Sequence, residues 1–328
     1  MTRSALPTAL LAFMVTCTAG TKSIDVQATE ALAQEESEQK AILVTGASSG
    51  LGRAITLRLA SEGYFVFAGA RKDKDLVELN EIENVESVRL DVTIQEDIDA
   101  AVETIRNADR GLYGLVNNAG VAVLQPLIEI EENDFDFQMN VNVYGPYRIT
   151  KAFSPLILQS KGRITTISSI SGIVSGPFFG PYSMSKHAVE AFSDALAGEL
   201  NRFDVKVSVI EPGGYKSRII DSMVKRMQES GQSSIDSLFD KELKQTIQTV
   251  IDRRESAGDP KDIADAVMHA LFDDQPKHRY LVVPGQRAAE ETIRTAIEEL
   301  VQLNYGHAYS FEREELIKML DESMASYE

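Results

Sequence analysis

From Lys40 onward, seven short apolar runs rich in β-branched residues alternate with longer stretches of helical period. That alternation predicts an α/β fold, a doubly wound, seven-stranded parallel sheet with helices on both faces. Two further observations agree. The runs are nearly continuous in Val, Ile, Leu and Phe, as strands covered on both sides require, and the first run leads directly into a glycine-rich turn and a helix. The predicted strands are 41–45, 64–70, 85–91, 112–117, 162–169, 205–211 and 279–283. In such a sheet ligands bind beyond the carboxyl ends of the strands, and most of the motifs below fall there.

Composition bounds what the chain does. With 328 residues, 43% of them hydrophobic, it can bury one large core. A net charge of −17 without any dense Lys/Arg run argues against a nucleic-acid partner. Cys17 is the single cysteine, so no internal disulfide forms, and the 4 His show no ligand-like spacing, so no metal site is expected. Residues 1–39 are a signal-like or disordered extension: Arg3 precedes an apolar stretch over 5–15, then come small residues around Cys17, Ala19 and Gly20, then an acidic run. The stretch is too short for a confident transmembrane helix. It fits an export signal, a lipid anchor on Cys17, a frayed extension or an upstream start codon, which leaves export and membrane association open. Residues 286–328 are an appended helical extension, with Ser310 as the candidate N-cap of the last helix; Arg313 stands where a capping-box glutamate would be.

The first strand runs into Thr45-Gly46-Ala47-Ser48-Ser49-Gly50-Leu51-Gly52, which opens a helix. Glycines there let the backbone turn tightly and bring a pyrophosphate to the positive end of the helix. The candidate phosphate-binding residues are Gly46, Ser48, Ser49, Gly50, Leu51 and Gly52. No Gly-Lys-Ser/Thr follows, so ATP hydrolysis is disfavoured and a dinucleotide is expected. The second strand ends Gly69-Ala70-Arg71-Lys72, without an acidic residue at the strand end. Arg71 suits a 2′-phosphate, so NADP is the expected cofactor, and NAD is the alternative if Asp73 meets the ribose instead. Asp91 and Val92, ending strand three, are placed to meet the adenine; an Asp there could equally cap the next helix.

Tyr182 lies four residues before Lys186, and Ser169 lies thirteen residues before Tyr182. On a helix over 181–203 positions i and i+4 share a face, so the phenol and the ammonium approach each other. At about 4 Å and an effective dielectric near 20 the pair interacts by roughly 4 kcal/mol, enough to bring a phenol toward neutrality as an acid or base. A Tyr-x-x-x-Lys pair alone arises by chance in roughly half of such chains, so its context decides its meaning.

With Asn117-Asn118-Ala119-Gly120 at the end of strand four, residues 40–285 resemble the short-chain dehydrogenase/reductase family, whose motifs they carry in order. The resemblance implies a Rossmann-fold catalytic domain that transfers hydride between a nicotinamide cofactor and an alcohol or carbonyl. It implies Tyr182 as the acid/base, Lys186 as the residue that lowers the phenol pKa and binds the nicotinamide ribose, and Ser169 as a hydrogen-bond donor to the substrate oxygen; Ser168 is the neighbouring candidate. Asn142, in Asn142-Val143-Tyr144-Gly145, is assigned the asparagine of a water chain, with Asn140 as its rival. Asn118, Ala119 and Gly120 are expected against the cofactor, and Pro212, Gly213 and Ser217 at its nicotinamide end, a serine standing where the family has threonine. The segments 111–116 and 211–214 look most like the steroid and retinol dehydrogenase branch. The expected substrate is accordingly an apolar alcohol or carbonyl, with Phe178 and Phe179 as wall or core residues and 217–258 as a flexible cover. Family resemblance also implies a homodimer or homotetramer, and dependence on NADP suits a cytoplasmic domain. Enoyl reduction is disfavoured by the four-residue Tyr-to-Lys spacing. A non-catalytic NADP-binding sensor or scaffold is the reading of a different class.

Overall fold

The seven expected strands pair in parallel in the order β3-β2-β1-β4-β5-β6-β7 in a computed structural model that describes residues 39–229, 237–254 and 257–327. They are β1 (Ala41–Val44), β2 (Phe65–Ala70), β3 (Val85–Arg89), β4 (Gly114–Asn117), β5 (Arg163–Ile167), β6 (Lys206–Pro212) and β7 (Arg279–Val282). Leu43 of β1 stands level with Phe67 on one side and Leu115 on the other, so the chain reverses its winding beside β1. The crevice at that reversal is where a doubly wound sheet receives a ligand. The expected reading for the signal-like extension falls outside the described residues.

Alternation along each strand sends consecutive residues to opposite layers. Ile42 and Val44 of β1 join Val66 of β2, Ile55 and Leu59 of α1 (Gly50–Ser61) and Ile263 and Val267 of α9 (Lys261–Phe272). Ala41 and Leu43 join Phe67, Leu115 and, from α5 (Gly145–Ser160), Ile149 and Phe153. Both faces of β1 are therefore dry, and this is why its sequence is apolar without a break. Truncating a fully buried residue such as Leu43 to Ala should cost about 2–5 kcal/mol.

Several boundaries differ from the sequence expectation for identifiable reasons. β5 stops at Ile167 because the chain swings away after Ser168 N donates to Ile210 O at 2.7 Å, and a 3₁₀ turn, Ile170–Gly172, begins. The long helix α6 (Gly180–Leu200) tightens into a 3₁₀ turn over Asn201–Phe203 and ends at Asp204, which adopts φ 61°. Between α4 (Glu132–Met139) and α5 the chain makes a π turn over Asn140–Tyr144. Pro146 has no N–H to give to the carbonyl of Asn142, the bond an uninterrupted α-helix would make there.

The remaining helices are α2 (Asp73–Asn80), α3 (Gln95–Asn107), α7 (Ile219–Glu229), α8 (Asp240–Asp252), α10 (Gln286–Asn304) and α11 (Arg313–Ala325). The cap expected at Ser310 is corrected: its hydroxyl turns back to His307 O, and Glu312 caps α11 in a capping box with Glu315, whose carboxylate accepts from Glu312 N at 3.0 Å. The box was present two residues beyond the expected start. Among the described residues no helix is long and apolar enough to cross a membrane, and no acidic, His or Cys cluster could hold a metal.

Candidate active site

The glycine loop is built for close approach. Gly46 and Gly50 adopt φ 66° and 54°, conformations that favour glycine. A Cβ at Gly52 would lie 2.3 Å from Gly46 O and 2.4 Å from Asn118 Nδ2, so this end of α1 packs directly on the loop. Asn118 clamps it, donating from Nδ2 to Thr45 O at 2.8 Å and to Gly46 O at 3.2 Å. Thr45 Oγ1 accepts from the backbone N–H of Asn118 and of Ala119 at 2.9 and 3.0 Å. Thr45 is thus a site residue that the candidate set omits, although it opens the glycine motif. Ser49 is the N-cap of α1, yet its side chain makes no capping bond, so the positive end of the helix is not closed by its own cap. The cradle fits a pyrophosphate. Leu51 packs partly buried against the core, and Ser48 lies in the loop between Gly46 and the helix.

The 212–217 segment closes the other side. Pro212 ends β6, Gly213 N donates to Val282 O at 2.8 Å, and Ser217 Cβ lies 3.2 Å from where a Cβ on Gly50 would be. At the adenosine end the Arg71 guanidinium, 60% exposed, is 3.3 Å from Asp91. Asp73 pairs with Arg89, which also donates to Arg71 O at 2.8 Å. Arg89 is a second cation at this end that the sequence reading missed, because it precedes the strand-end motif by two residues. Asp91 turns toward Thr93, accepting from its N at 2.9 Å and its Oγ1 at 2.7 Å. Burial pushes the Asp91 carboxyl up, but those bonds and Arg71 outweigh it and hold the carboxyl below its usual range. Val92 is buried under the π turn, and a Cβ at Gly145 would meet Val92 Cγ2 at 2.8 Å.

Tyr182 and Lys186 both come from the start of α6, and Ser169, two residues beyond β5, is the N-cap of the 3₁₀ turn, accepting from Ser171 N at 3.1 Å. Lys186 is buried, donates to Ile167 O at 2.9 Å, and its Nζ is 5.7 Å from the Tyr182 ring centroid. Burial pushes the Tyr182 phenol up from its ordinary value, and a hydrogen bond with Ser169 works against that rise. Burial also pushes Lys186 down to about 8, with the charge of Glu190 opposing it. The expectation that Lys186 brings the phenol toward neutrality therefore meets a stronger effect, desolvation.

Asn142 is 1% exposed, and its side chain is fully used. Oδ1 accepts from Val121 N at 2.9 Å, while Nδ2 donates to Val121 O at 3.0 Å and to Ser185 Oγ at 3.1 Å. Gly120 lies just before this contact, with Asn142 Oδ1 3.5 Å from where its Cβ would be. The rival Asn140 instead accepts from Arg148 at 2.7 Å. Ser168 Oγ is buried without a partner, on the side of Gly172 and Glu190.

Beside the amino end of α6 a cavity of about 230 Å³ is lined by Pro126, Leu127, Ile128, Gly176, Pro177, Phe178, Gly180 and Phe239. Phe178 meets Phe239 edge to face with centroids 5.9 Å apart, so the aromatic expected in the wall contacts the segment leading into α8. That segment is fastened: Glu129 accepts from Ser237 Oγ at 2.6 Å and from Leu238 N at 2.9 Å, and Arg226 of α7 pairs with Asp134 at 2.7 Å.

A glycine loop at the winding reversal, with a tyrosine, lysine and serine at adjoining strand and helix ends, defines a dinucleotide-dependent oxidoreductase site. The family model described as short chain dehydrogenase matches residues 40–228, and the chain belongs to that family. It is 37% identical over 246 residues to the oxidoreductase YbbO of Escherichia coli (strain K12), covering 74% of this chain and 86% of that protein. It is 33% identical over 277 residues to the mitochondrial D-beta-hydroxybutyrate dehydrogenase of Mus musculus (79% and 81% covered) and 33% identical over 256 residues to retinol dehydrogenase 7 of Mus musculus (74% and 80%). Among solved structures, a variant of actinorhodin polyketide ketoreductase with NADPH superposes with a TM-score of 0.63 at 26% identity, covering 75% of this chain and 96% of that one. The chain is thus an oxidoreductase of the short-chain family, and a nicotinamide cofactor is the one its relatives support.

Proposed function

We propose that this chain interconverts an apolar alcohol and the corresponding ketone or aldehyde with NADP, Tyr182 exchanging the hydroxyl proton. One observation carries the reading: the half-buried Tyr182 phenol is hydrogen-bonded with Ser169 and has the Lys186 ammonium 5.7 Å from its ring centroid. A protonated phenol at this position can donate as a carbonyl oxygen gains charge and, in the reverse reaction, take the proton back from the alcohol. Ser169 donates to that oxygen and Lys186 holds the nicotinamide ribose, while the fully bonded Asn142 side chain fixes the π turn against Ser185 of the catalytic helix. A bound nicotinamide supplies or takes up the hydride. The glycine loop with Asn118, Ala119 and Gly120 holds the dinucleotide, and Pro212, Gly213 and Ser217 flank its reactive end.

NADP is favoured over NAD because Arg71 is exposed at the adenosine end while Asp73, the rival ribose partner, is engaged by Arg89. An apolar substrate is favoured over a short hydroxy acid because the cavity at the amino end of α6 is lined by apolar residues and glycine, and Arg226 of α7 is already paired with Asp134. Exposed Tyr144, ending the π turn, and Tyr147 of α5 support a homo-oligomer built there, and use of NADP supports a cytoplasmic catalytic domain.

The test is to follow NADPH absorbance with the purified chain against hydrophobic ketones, aldehydes and acetoacetate. Tyr182→Phe should lower turnover by about 10²–10⁴-fold while NADPH binding is retained. Wild-type rates in that variant would sink the proposal.

A further inference from the structure

Buried ionisable chemistry on α6 continues one turn past Lys186. Glu190 is 7% exposed, and Glu211, arriving from β6, is 2% exposed. Arg279 at the start of β7 joins them: its Nη1 donates both to Glu190 Oε2 and to Glu211 Oε1, the latter at 2.8 Å. Its Nη2 donates to both oxygens of Asp194 at 2.6 and 2.7 Å, and Asp194 faces His278 Nε2 at 2.8 Å near the surface. Three carboxyl groups thus surround one guanidinium, and the charge of Glu190 also acts on Lys186.

Two of those carboxyls are dry and share one guanidinium nitrogen, so charging both is costly. Glu190 Oε1 has no partner although it is buried, and the same is true of Ser168 Oγ. Both atoms crowd Gly172, where a Cβ would stand 2.8 Å from the first and 2.9 Å from the second. The Glu190 carboxyl therefore underlies the turn that begins at Ser169 and sits one helical turn from Lys186, touching the supports of two proposed catalytic groups. Burial, then the charge of Glu190, push Glu211 up to about 7 against the pull of Arg279.

We propose that Glu190 and Glu211 form a buried carboxyl pair sharing one proton, and that the negative charge the pair retains holds Lys186 as an ammonium. Glu190 is then a positioning residue that acts through Lys186, and the inference rests on the proposed role of that lysine. With one proton on the pair, Lys186 and Arg279 balance the pair and Asp194, and the cluster is neutral. The groups that set this state come from every side: Lys186, Glu190 and Asp194 from α6, Glu211 from β6, and His278 and Arg279 from the start of β7.

The test compares the wild type, Glu190→Gln and Glu211→Gln as full-length proteins. In the alkaline limb of kcat/KM for NADPH-dependent carbonyl reduction, Glu190→Gln should move the midpoint down by about one pH unit, whereas Glu211→Gln, which leaves Glu190 charged, should not lower it. A midpoint unchanged in folded Glu190→Gln overturns the proposal. A second readout needs no turnover: the infrared spectrum of the unliganded wild type at pH 6 should contain a protonated-carboxyl band that fades as pH passes about 7 and is missing in either single variant. Absence of the band from the wild type also overturns the proposal, even if Glu190→Gln fails to fold. Retained turnover in Tyr182→Phe, with the band present, would instead count against the proposed reaction alone.

Discussion

Asn142 and Ser185 are joined by a buried hydrogen bond, Nδ2 to Oγ at 3.1 Å, and Ser185 passes it on by donating to Tyr182 O at 2.7 Å. The π turn is thereby tied to the first turn of α6 between its tyrosine and its lysine. Ser185 is completely buried, and Asn142 is pinned on its other side by both backbone groups of Val121. This short chain of bonds joins the π turn, which carries Asn142, to the helix that carries Tyr182 and Lys186.

Ser185→Ala removes the link while leaving Asn142 its bonds to Val121. The loss of one buried hydrogen-bonded hydroxyl should cost about 1–2 kcal/mol of stability. A lower kcat with little change in KM for NADPH is expected, because the cofactor cradle is built elsewhere. Thermal unfolding together with steady-state kinetics checks both parts; an unchanged kcat would show that the link does not position Tyr182.

Much of this was legible in the sequence because it follows from local pattern. Strand existence is fixed by continuous apolar runs such as Ile42 to Val44, and the glycine loop by backbone conformations that only its spacing allows. Tyr182 and Lys186 stand out by their spacing, and Ser169 and Asn142 are proposed through the resemblance to the family's motifs. What escaped depended on contacts between segments far apart in sequence. Thr45 acts through backbone N–H groups more than seventy residues away, Arg89 through a neighbouring strand, and Glu211 through residues on α6 and β7. The direction of the Tyr182 shift escaped for another reason: helix spacing gives the distance to a cation but not the burial that outweighs it.

Arg71 gives a prediction on cofactor choice. A charge-assisted bond to a 2′-phosphate contributes about 1.5–3 kcal/mol, so Arg71→Ala should weaken NADPH binding by about 10–100-fold and leave NADH nearly unchanged. Fluorescence titration with both cofactors measures the ratio directly. Equal losses for the two would place Arg71 away from the phosphate.

Lys186 sets an expected pH limit. Its folded value lies at about 8, below the ordinary lysine value, so its ammonium is lost as pH rises through that region. The phenol is pushed upward by burial and stays neutral there. In the reductive direction log kcat/KM should therefore turn downward near pH 8, well before free tyrosine ionises at about 10. A plateau extending to pH 10 would contradict the assignment of the limb to Lys186.

Glu211 makes stability pH-dependent in the direction opposite to an ordinary surface carboxylate. Its folded value, about 7, is above the 4.5 of the free group, so the folded state holds a proton that the unfolded chain has already released. By linkage the contribution is full below pH 4.5 and declines as pH rises, being lost through about pH 7. A shift of this size corresponds to roughly 3 kcal/mol at most. Glutamine at 211 keeps the shape of the protonated acid without ionising. Glu211→Gln should therefore be stabilised relative to the wild type at pH 8 and should flatten the decline between pH 5 and 8, each pH followed by urea unfolding. If the two proteins instead lost stability in parallel over that range, another group would be responsible for the decline.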